Sequence, residues 1–382
     1  MTEHGGILVF NAGASSIKFA LFSQQLERIL SGSVSGIGSG GLLTIGEERA
    51  ECDVPDHASA VKALLAGLLR NGVRFDAIAG AAHRVVHGGR DLVAPCRVTP
   101  DVIAAIEACV PLAPLHNPHN LALIRAIAAI APDLPQFATF DTAFHATNPD
   151  VALRYAIPAS EDAKGIRRYG FHGISYSGLV ERLPKLSGQP LPRRLLAMHL
   201  GNGASLCAIK DGMSVATTMG YSPLDGLTMG TRCGGIDGNA VLRLVEEHGI
   251  EGAARLLNHE SGLKALGGTA DMLALQRNVS AECCFAVEHF CYWGVRHAGS
   301  MISAMGGLDA VAFTGGIGEN DVKIRARIVD ALGWAGVYLD RAANIRGDLQ
   351  LHIRLSPVTA WIVPADEEVT IARNALATGD AV

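Results

Sequence analysis

Two glycine-rich stretches carry the first chemical signal. Gly201-Asn202-Gly203-Ala204-Ser205 follows the apolar run Leu195 to Leu200, and Gly315-Gly316-Ile317-Gly318-Glu319-Asn320 follows Asp309 to Thr314. A residue without a side chain lets main-chain N–H groups come close to a phosphate, and a following helix turns its positive end towards the anion. Gly315 to Gly318, ahead of a helix, meets both conditions. No GxxxxGK[ST] pattern occurs, and tight turns use the same residues, so either stretch alone leaves both readings open. Two arginines sharpen the picture. Arg84 lies in His83-Arg84-Val85-Val86-His87-Gly88-Gly89, and Arg232 in Met229-Gly230-Thr231-Arg232-Cys233-Gly234-Gly235. A guanidinium among glycines can project into a cleft, where its planar fork suits a carboxylate or phosphate. A surface ion pair is the alternative.

Acidic residues come next. Asp141 ends an apolar run and is boxed by Phe140 and Phe144. A carboxylate there needs a partner, of which a hydrated Mg²⁺ is one. Asp366-Glu367-Glu368 follows Trp361 to Val363 and precedes a helix, where capping and favourable macrodipole charge account for one or two of the three. His172, between Phe171 and Gly173, is placed to donate to a phosphoryl oxygen or to serve as a structural histidine. His116 and His119 lack a third ligand for a metal, and no HExxH occurs.

Alternating elements must hold these residues. Ile7 to Phe10 and Ile17 to Phe22 read as two strands around a polar tip, and Leu195 to Leu200 with Leu206 to Ile209 repeat the pattern. Helices are expected over Ala58 to Asn71, Asn117 to Ala131, Ala281 to Met305 and Asp321 to Leu332. Strands are expected over Asp76 to Ala82, Gln136 to Phe140 and Asp309 to Thr314, with Gly315 to Asn320 a loop. This is an α/β pattern, in which ligands gather outside the carboxyl ends of strands. Asp141 and both glycine stretches lie at such ends.

Composition bounds the class. The 382 residues suit two domains, 49% hydrophobic content suits a large core, and 44 glycines exceed the usual share of about 7%. A net charge of −5, no basic block and 5% aromatics argue against a nucleic-acid partner. The longest near-apolar region, Val102 to Ile130, is broken by Glu107, His116 and Arg125, so no membrane span is expected. The opening MTEHGGILVF lacks a signal-peptide pattern, and eight cysteines without CxxC read as buried thiols in a reducing cytoplasm.

The motifs together resemble the acetate and propionate kinase family, from Ile7 to about Asn374. The resemblance rests on Asn11 to Lys18, His83 to Gly89, Pro114 to Pro118, Phe140 to His145, Arg167 to Gly173, His199 to Ser205, Ser222 to Arg232, Phe313 to Asn320 and Asp366 to Glu368. It implies membership of the actin, sugar kinase and Hsp70 superfamily: duplicated ribonuclease-H-like domains with an ATP cleft between them. Residues 1–145 plus 368–382 would form the first domain and 146–367 the second. The implied reaction is ATP + acetate ⇌ ADP + acetyl phosphate with Mg²⁺ or Mn²⁺, with propionate or butyrate as alternative acceptors. A homodimer is implied as well.

By the same resemblance, Arg84, Asp141, His172 and Arg232 are catalytic. Val86, Leu115, Phe171 and Pro223, with Arg84, bind the acyl substrate. Lys18, His199, Leu200, Gly201, Asn202, Gly203, Asp271, Met272, Leu273, Gly316, Ile317, Gly318, Glu319 and Asn320 bind the nucleotide. Asn11 and Glu367 hold the metal. For Asp141, organising the site is preferred over proton abstraction, and valine at 86 favours acetate. Three positions depart from the family pattern: Ala14 for serine, Gly235 for aspartate and Leu273 for arginine. A non-catalytic nucleotide switch would not call for both arginines, and no polar sugar-binding cluster accompanies Asp141.

Overall fold

The computed structural model describes residues 5–13 and 16–379, so Ala14 lies outside the described residues. The chain forms two compact units. One runs to Phe144 and resumes at Asp366; the other is His145–Ala365. The divisions thus fall at 144/145 and 365/366, against 145/146 and 367/368 expected.

The first unit is built on eight strands: β1 (Ile7–Ala12), β2 (Ser16–Phe22), β3 (Arg28–Ser35), β4 (Gly41–Ile45), β5 (Glu48–Cys52), β6 (Gly80–Val85), β7 (Cys96–Arg97) and β8 (Gln136–Phe140). Their order is β5-β4-β3-β2-β1-β6-β8-β7. β1 is a run of apolar residues buried on both faces, as a central strand requires. It pairs antiparallel with β2 and parallel with β6, and β6 pairs parallel with β8. The carboxyl ends of β1, β6 and β8 therefore lie at one edge. Helix His57–Arg70 covers one face, capped by Asp56, which accepts from the Ser59 amide. Its Val61, Leu64, Leu65 and Leu68 share one stripe and pack with Leu8, Phe10 and Phe19. The helix Glu367–Gly379 packs against β1, β6 and β8.

The second unit holds β9 (Arg194–Leu200), β10 (Ala204–Lys210), β11 (Met213–Thr217), β12 (Ala310–Thr314) and β13 (Thr359–Ile362). Their order is β11-β10-β9-β12-β13. β9, β10 and β11 are an antiparallel meander, and β12 and β13 continue in parallel. The set β3-β2-β1-β6-β8 has the same order and the same directions. The two hairpins seen in the sequence are the first two strands of a repeated, ribonuclease-H-like pattern. The 25-residue helix Ala281–Met305 packs on β9, β10 and β11. Ser280 caps its start and Gly306, at φ 73, ends it.

Two expected elements differ. The strand expected from Asp76 starts at Gly80, because Arg74 clamps Asp76 and the Ala77 amide bonds back to Arg74, which makes a turn. Gly315–Asn320 is a short helix rather than a loop, and Asp321 caps the next helix, Val322–Ala331. No described helix is long and apolar enough to cross a membrane.

Three buried histidines make stability depend on pH. Desolvation lowers the pKa values of His83, His87 and His145 from 6.5 to about 4; bonds to Gln136 and to the Phe171 carbonyl oppose it at His83 and His145. The folded chain keeps these rings neutral where the unfolded chain takes up protons. Their contribution is complete above about pH 6.5 and falls as pH drops towards about 4, by roughly 2 kcal/mol per ring at about pH 5. Urea midpoints should therefore drop between about pH 7.5 and about pH 5; equal midpoints would contradict the neutral assignment.

Candidate active site

In the first unit, three strand ends converge. β6 delivers Arg84, β8 delivers Asp141 and β1 delivers Asn11. Arg84 Nε donates to both Asp141 carboxylate oxygens, at 3.2 and 3.0 Å, and Nη2 donates to Oδ2. Nη1 donates to Asn11 Oδ1 at 3.0 Å. The partner of Asp141 is thus a guanidinium. Asp141 is 1% exposed, while the Arg84 side chain keeps 19%. Burial lowers the guanidinium pKa, but Asp141, Glu367 and Glu368 outweigh it and the net shift is upward. Among the described residues these bonds use one N–H on each terminal nitrogen of Arg84 and leave the other.

The acidic triplet divides its work. Asp366 accepts from the Val369 amide at 3.1 Å and caps the helix. Arg28 pairs with Asp366 at 2.9 Å and Glu368 at 3.7 Å. Glu367 makes no such bond among the described residues and contributes its charge at Arg84. Lys18 stands opposite Asn11 in the hairpin register, exposed. Val86 is buried and Leu115 is 47% exposed. Two asparagines hold the Val86–His87 segment. Asn120 Oδ1 accepts from the Val86 amide, and Asn117 bonds both the amide and the carbonyl of His87. Sequence reasoning missed both roles. Asn117 stood in the sequence only as the start of an expected helix and within the Pro114 to Pro118 motif, 30 positions from its partner.

In the second unit, His172 sits at φ 58, ψ 19, a left-handed conformation rare outside glycine, just before helix Gly173–Ser187. Its ring stacks on His199 at 4.1 Å and 22°. His145 anchors the segment from below: Nε2 donates to the Phe171 carbonyl at 2.9 Å, and Nδ1 meets Ser214 Oγ. Phe171 is buried and Pro223 half-buried; the Pro223 carbonyl accepts from Arg232 Nη1 at 3.1 Å. The four expected acyl-pocket residues are thus divided between the units. Met229 to Arg232 is tied to the glycine turn, since the Gly230 amide donates to the Asn202 carbonyl.

Gly203 is where the second set converges. A Cβ built there would lie 3.3 Å from His172 Nε2 and 3.5 Å from Arg232 Nη1. Gly201 faces the Gly316 amide, so the ends of β9 and β12 open side by side. Gly315 has φ +79 and packs on the Leu200 main chain, which leaves no room for a side chain. Glu319 accepts from the Gly315 and Ala365 amides, both at 2.8 Å, so its carboxylate builds the turn. Gly316 and Asn320 are exposed; Gly318 is buried. The buried Arg325, also missed, grips the Gly318 and Glu319 carbonyls and Asn344. Asp271 caps helix Met272–Arg277, Met272 is buried and Leu273 is 55% exposed. Gly235 has φ outside the left-handed region, and a Cβ there would make only ordinary contacts, 3.7 Å from Asp225 Oδ1 and from the Gly226 carbonyl, so a side chain fits sterically.

Two substitutions test this geometry. Arg84→Ala leaves the Asp141 carboxylate buried without its cation and should cost about 3–5 kcal/mol of stability. Chemical denaturation checks this; unchanged stability would mean that Asp141 finds water or another cation. Gly203→Ala keeps an allowed backbone but places a methyl between His172 and Arg232. It should lower turnover about a hundredfold with the fold intact, and near-normal kinetics would remove that point from the site.

The match to known proteins spans the chain. Residues 6–373 match the Acetokinase family. Acetate kinase of Rhodopseudomonas palustris (strain ATCC BAA-98 / CGA009) is 42% identical, with 96% of this chain and 97% of that protein covered. Acetate kinase of Bacillus cytotoxicus is 41% identical, covering 98% and 99%. The crystal structure of Porphyromonas gingivalis acetate kinase superposes with a TM-score of 0.89 at 34% identity, covering 98% of this chain and 99% of that one. A propionate kinase from Francisella tularensis gives 0.90 at 34%, covering 97% and 98%. On these matches, the chain belongs to the Acetokinase family.

Proposed function

We propose that this chain is an acetate kinase, transferring the γ-phosphoryl group of ATP reversibly to acetate to give acetyl phosphate and ADP. The observation that carries the reading is Arg84, locked by Asp141 and Asn11 with donors left for a small carboxylate. Acetate is ionised near neutral pH, so the nucleophile needs no general base. The difficulty is anion against anion, which positioning and positive charge resolve. In this reading Arg84 orients the acetate and Asp141 holds Arg84. Arg232 and His172 meet the oxygens of the transferring phosphoryl group, where charge develops. The turns Gly201–Gly203 and Gly316–Asn320, with His199, Asp271, Met272, Leu273 and Lys18, receive the nucleotide.

Asn11 and Glu367 offer an amide oxygen and a carboxylate, hard donors that suit Mg²⁺. Mg²⁺ is commonly held by one or two side chains plus phosphate and water. When bound, the ion supplies charge neutralisation at the phosphate oxygens. A cytoplasmic homodimer belongs to the same reading.

Val86, buried beside Arg84, favours the acetyl methyl over longer chains; one methylene is worth about 1–3 kcal/mol. The likeness to a propionate kinase keeps propionate as the second acceptor. With ATP, Mg²⁺ and hydroxylamine, acetate should give more hydroxamate than propionate, and propionate more than butyrate. Hydroxamate from none of the three would overturn the kinase reading; more from propionate would overturn the choice of acetate.

A further inference from the structure

Behind His172 lies a chain of hydroxyl groups that the expected site residues do not include. His172 Nδ1 lies 2.9 Å from Ser205 Oγ, and Ser205 Oγ lies 2.6 Å from the Tyr176 hydroxyl. Ser205 and Tyr176 are fully buried. Burial raises the phenol pKa well above 10, so the phenol keeps its proton.

These contacts order the protons. A phenol is a stronger donor than an alkyl alcohol, so the Tyr176 proton points at Ser205 Oγ. Ser205 then directs its own proton at His172 Nδ1. A neutral imidazole that accepts at Nδ1 carries its proton on Nε2. Nε2 is the ring nitrogen on the Gly203 side, 3.3 Å from where a Cβ there would lie, with Arg232 Nη1 3.5 Å from the same point.

We propose that Tyr176 and Ser205 form a relay that holds His172 with its proton on Nε2, so that the histidine meets a phosphoryl oxygen as a donor. Both are positioning residues. The catalytic consequence rests on the kinase reading; the tautomer rests on the hydrogen-bond geometry alone. The opposite tautomer would aim a lone pair at the phosphoryl oxygens and repel them. The left-handed backbone at His172 fits this account, because it turns the ring so that one nitrogen meets the relay and the other meets Gly203.

The test uses the whole protein with ¹⁵N-labelled histidine, the His172 signals being assigned by their loss in His172→Gln. In the wild type, neutral His172 should show a protonated Nε2 and a bare Nδ1. Ser205→Ala should give a mixture of tautomers, and Tyr176→Phe a smaller shift in the same direction. A wild-type proton on Nδ1, or a tautomer unchanged in Ser205→Ala, would overturn the relay. In kinetics, Ser205→Ala should lower kcat about tenfold, the size of one lost hydrogen bond, with KM for acetate and ATP little changed. In a His172→Gln background the same substitution should cost nothing further, whereas additive losses would overturn its action through His172. If Ser205→Ala fails to fold, Tyr176→Phe carries both measurements. If wild-type protein forms no acyl phosphate, the kinase reading fails while the nitrogen spectrum still decides the relay.

Discussion

A carboxylate almost wholly out of water survives only with a cation fixed against it, and that constraint organises the first unit. Asp141 is 1% exposed and Arg84 closes on it from the neighbouring strand. The pair exists because β6 and β8 run parallel and end together. Their parallel pairing needs a long crossover, supplied by the segment that contains helix Asn117–Ile130. That helix also carries Asn117 and Asn120, which hold the chain just beyond Arg84. Helix Glu367–Gly379 then brings two further carboxylates, Glu367 and Glu368, to bear on the same guanidinium. Arg84 is therefore a fixed donor, aimed before any ligand arrives, and no side-chain entropy remains to be lost when an anion binds.

The second unit meets a different demand with the same strand order. Its strand ends carry absences, at Gly201, Gly203 and Gly315, in place of a buried ion pair. Such turns are loose unless their polar groups are satisfied elsewhere. Glu319 takes the Gly315 amide, and Arg325 takes carbonyls from the other end of the same turn. Arg325 is buried against neutral acceptors, an expensive arrangement whose cost the rigid turn offsets.

Much of this was legible in the sequence. Strand ends followed by glycine, an arginine or an acid place chemistry where α/β sheets keep it, and the repeated hairpin announced the duplication. The resemblance extended that to named residues. What stayed hidden was pairing over distance: Arg84 and Asp141 are 57 positions apart, and nothing local says that one is the other's partner. Gly315–Asn320 reads as a loop because glycine weakens helices; it winds because Glu319 and Arg325 satisfy its ends. Arg325 lies outside every motif, and Ser205, though it closes the His199 to Ser205 motif, has a role that consists of what it touches.

The repeat gives one architecture two strand edges of the same geometry. In each unit the first, fourth and fifth strands of the pattern end at one edge, and the residue just beyond a strand decides what that edge offers. With Asn11, Arg84 and Asp141 it offers an arginine held in a fixed pose, suited to a small carboxylate. With the glycines after β9 and β12 it offers bare main chain, with His172 and Arg232 reaching towards it, suited to phosphates. The proposed phosphoryl transfer to a carboxylate calls for groups of both kinds. Duplication supplies two equivalent edges, and divergence at a few strand ends makes them different.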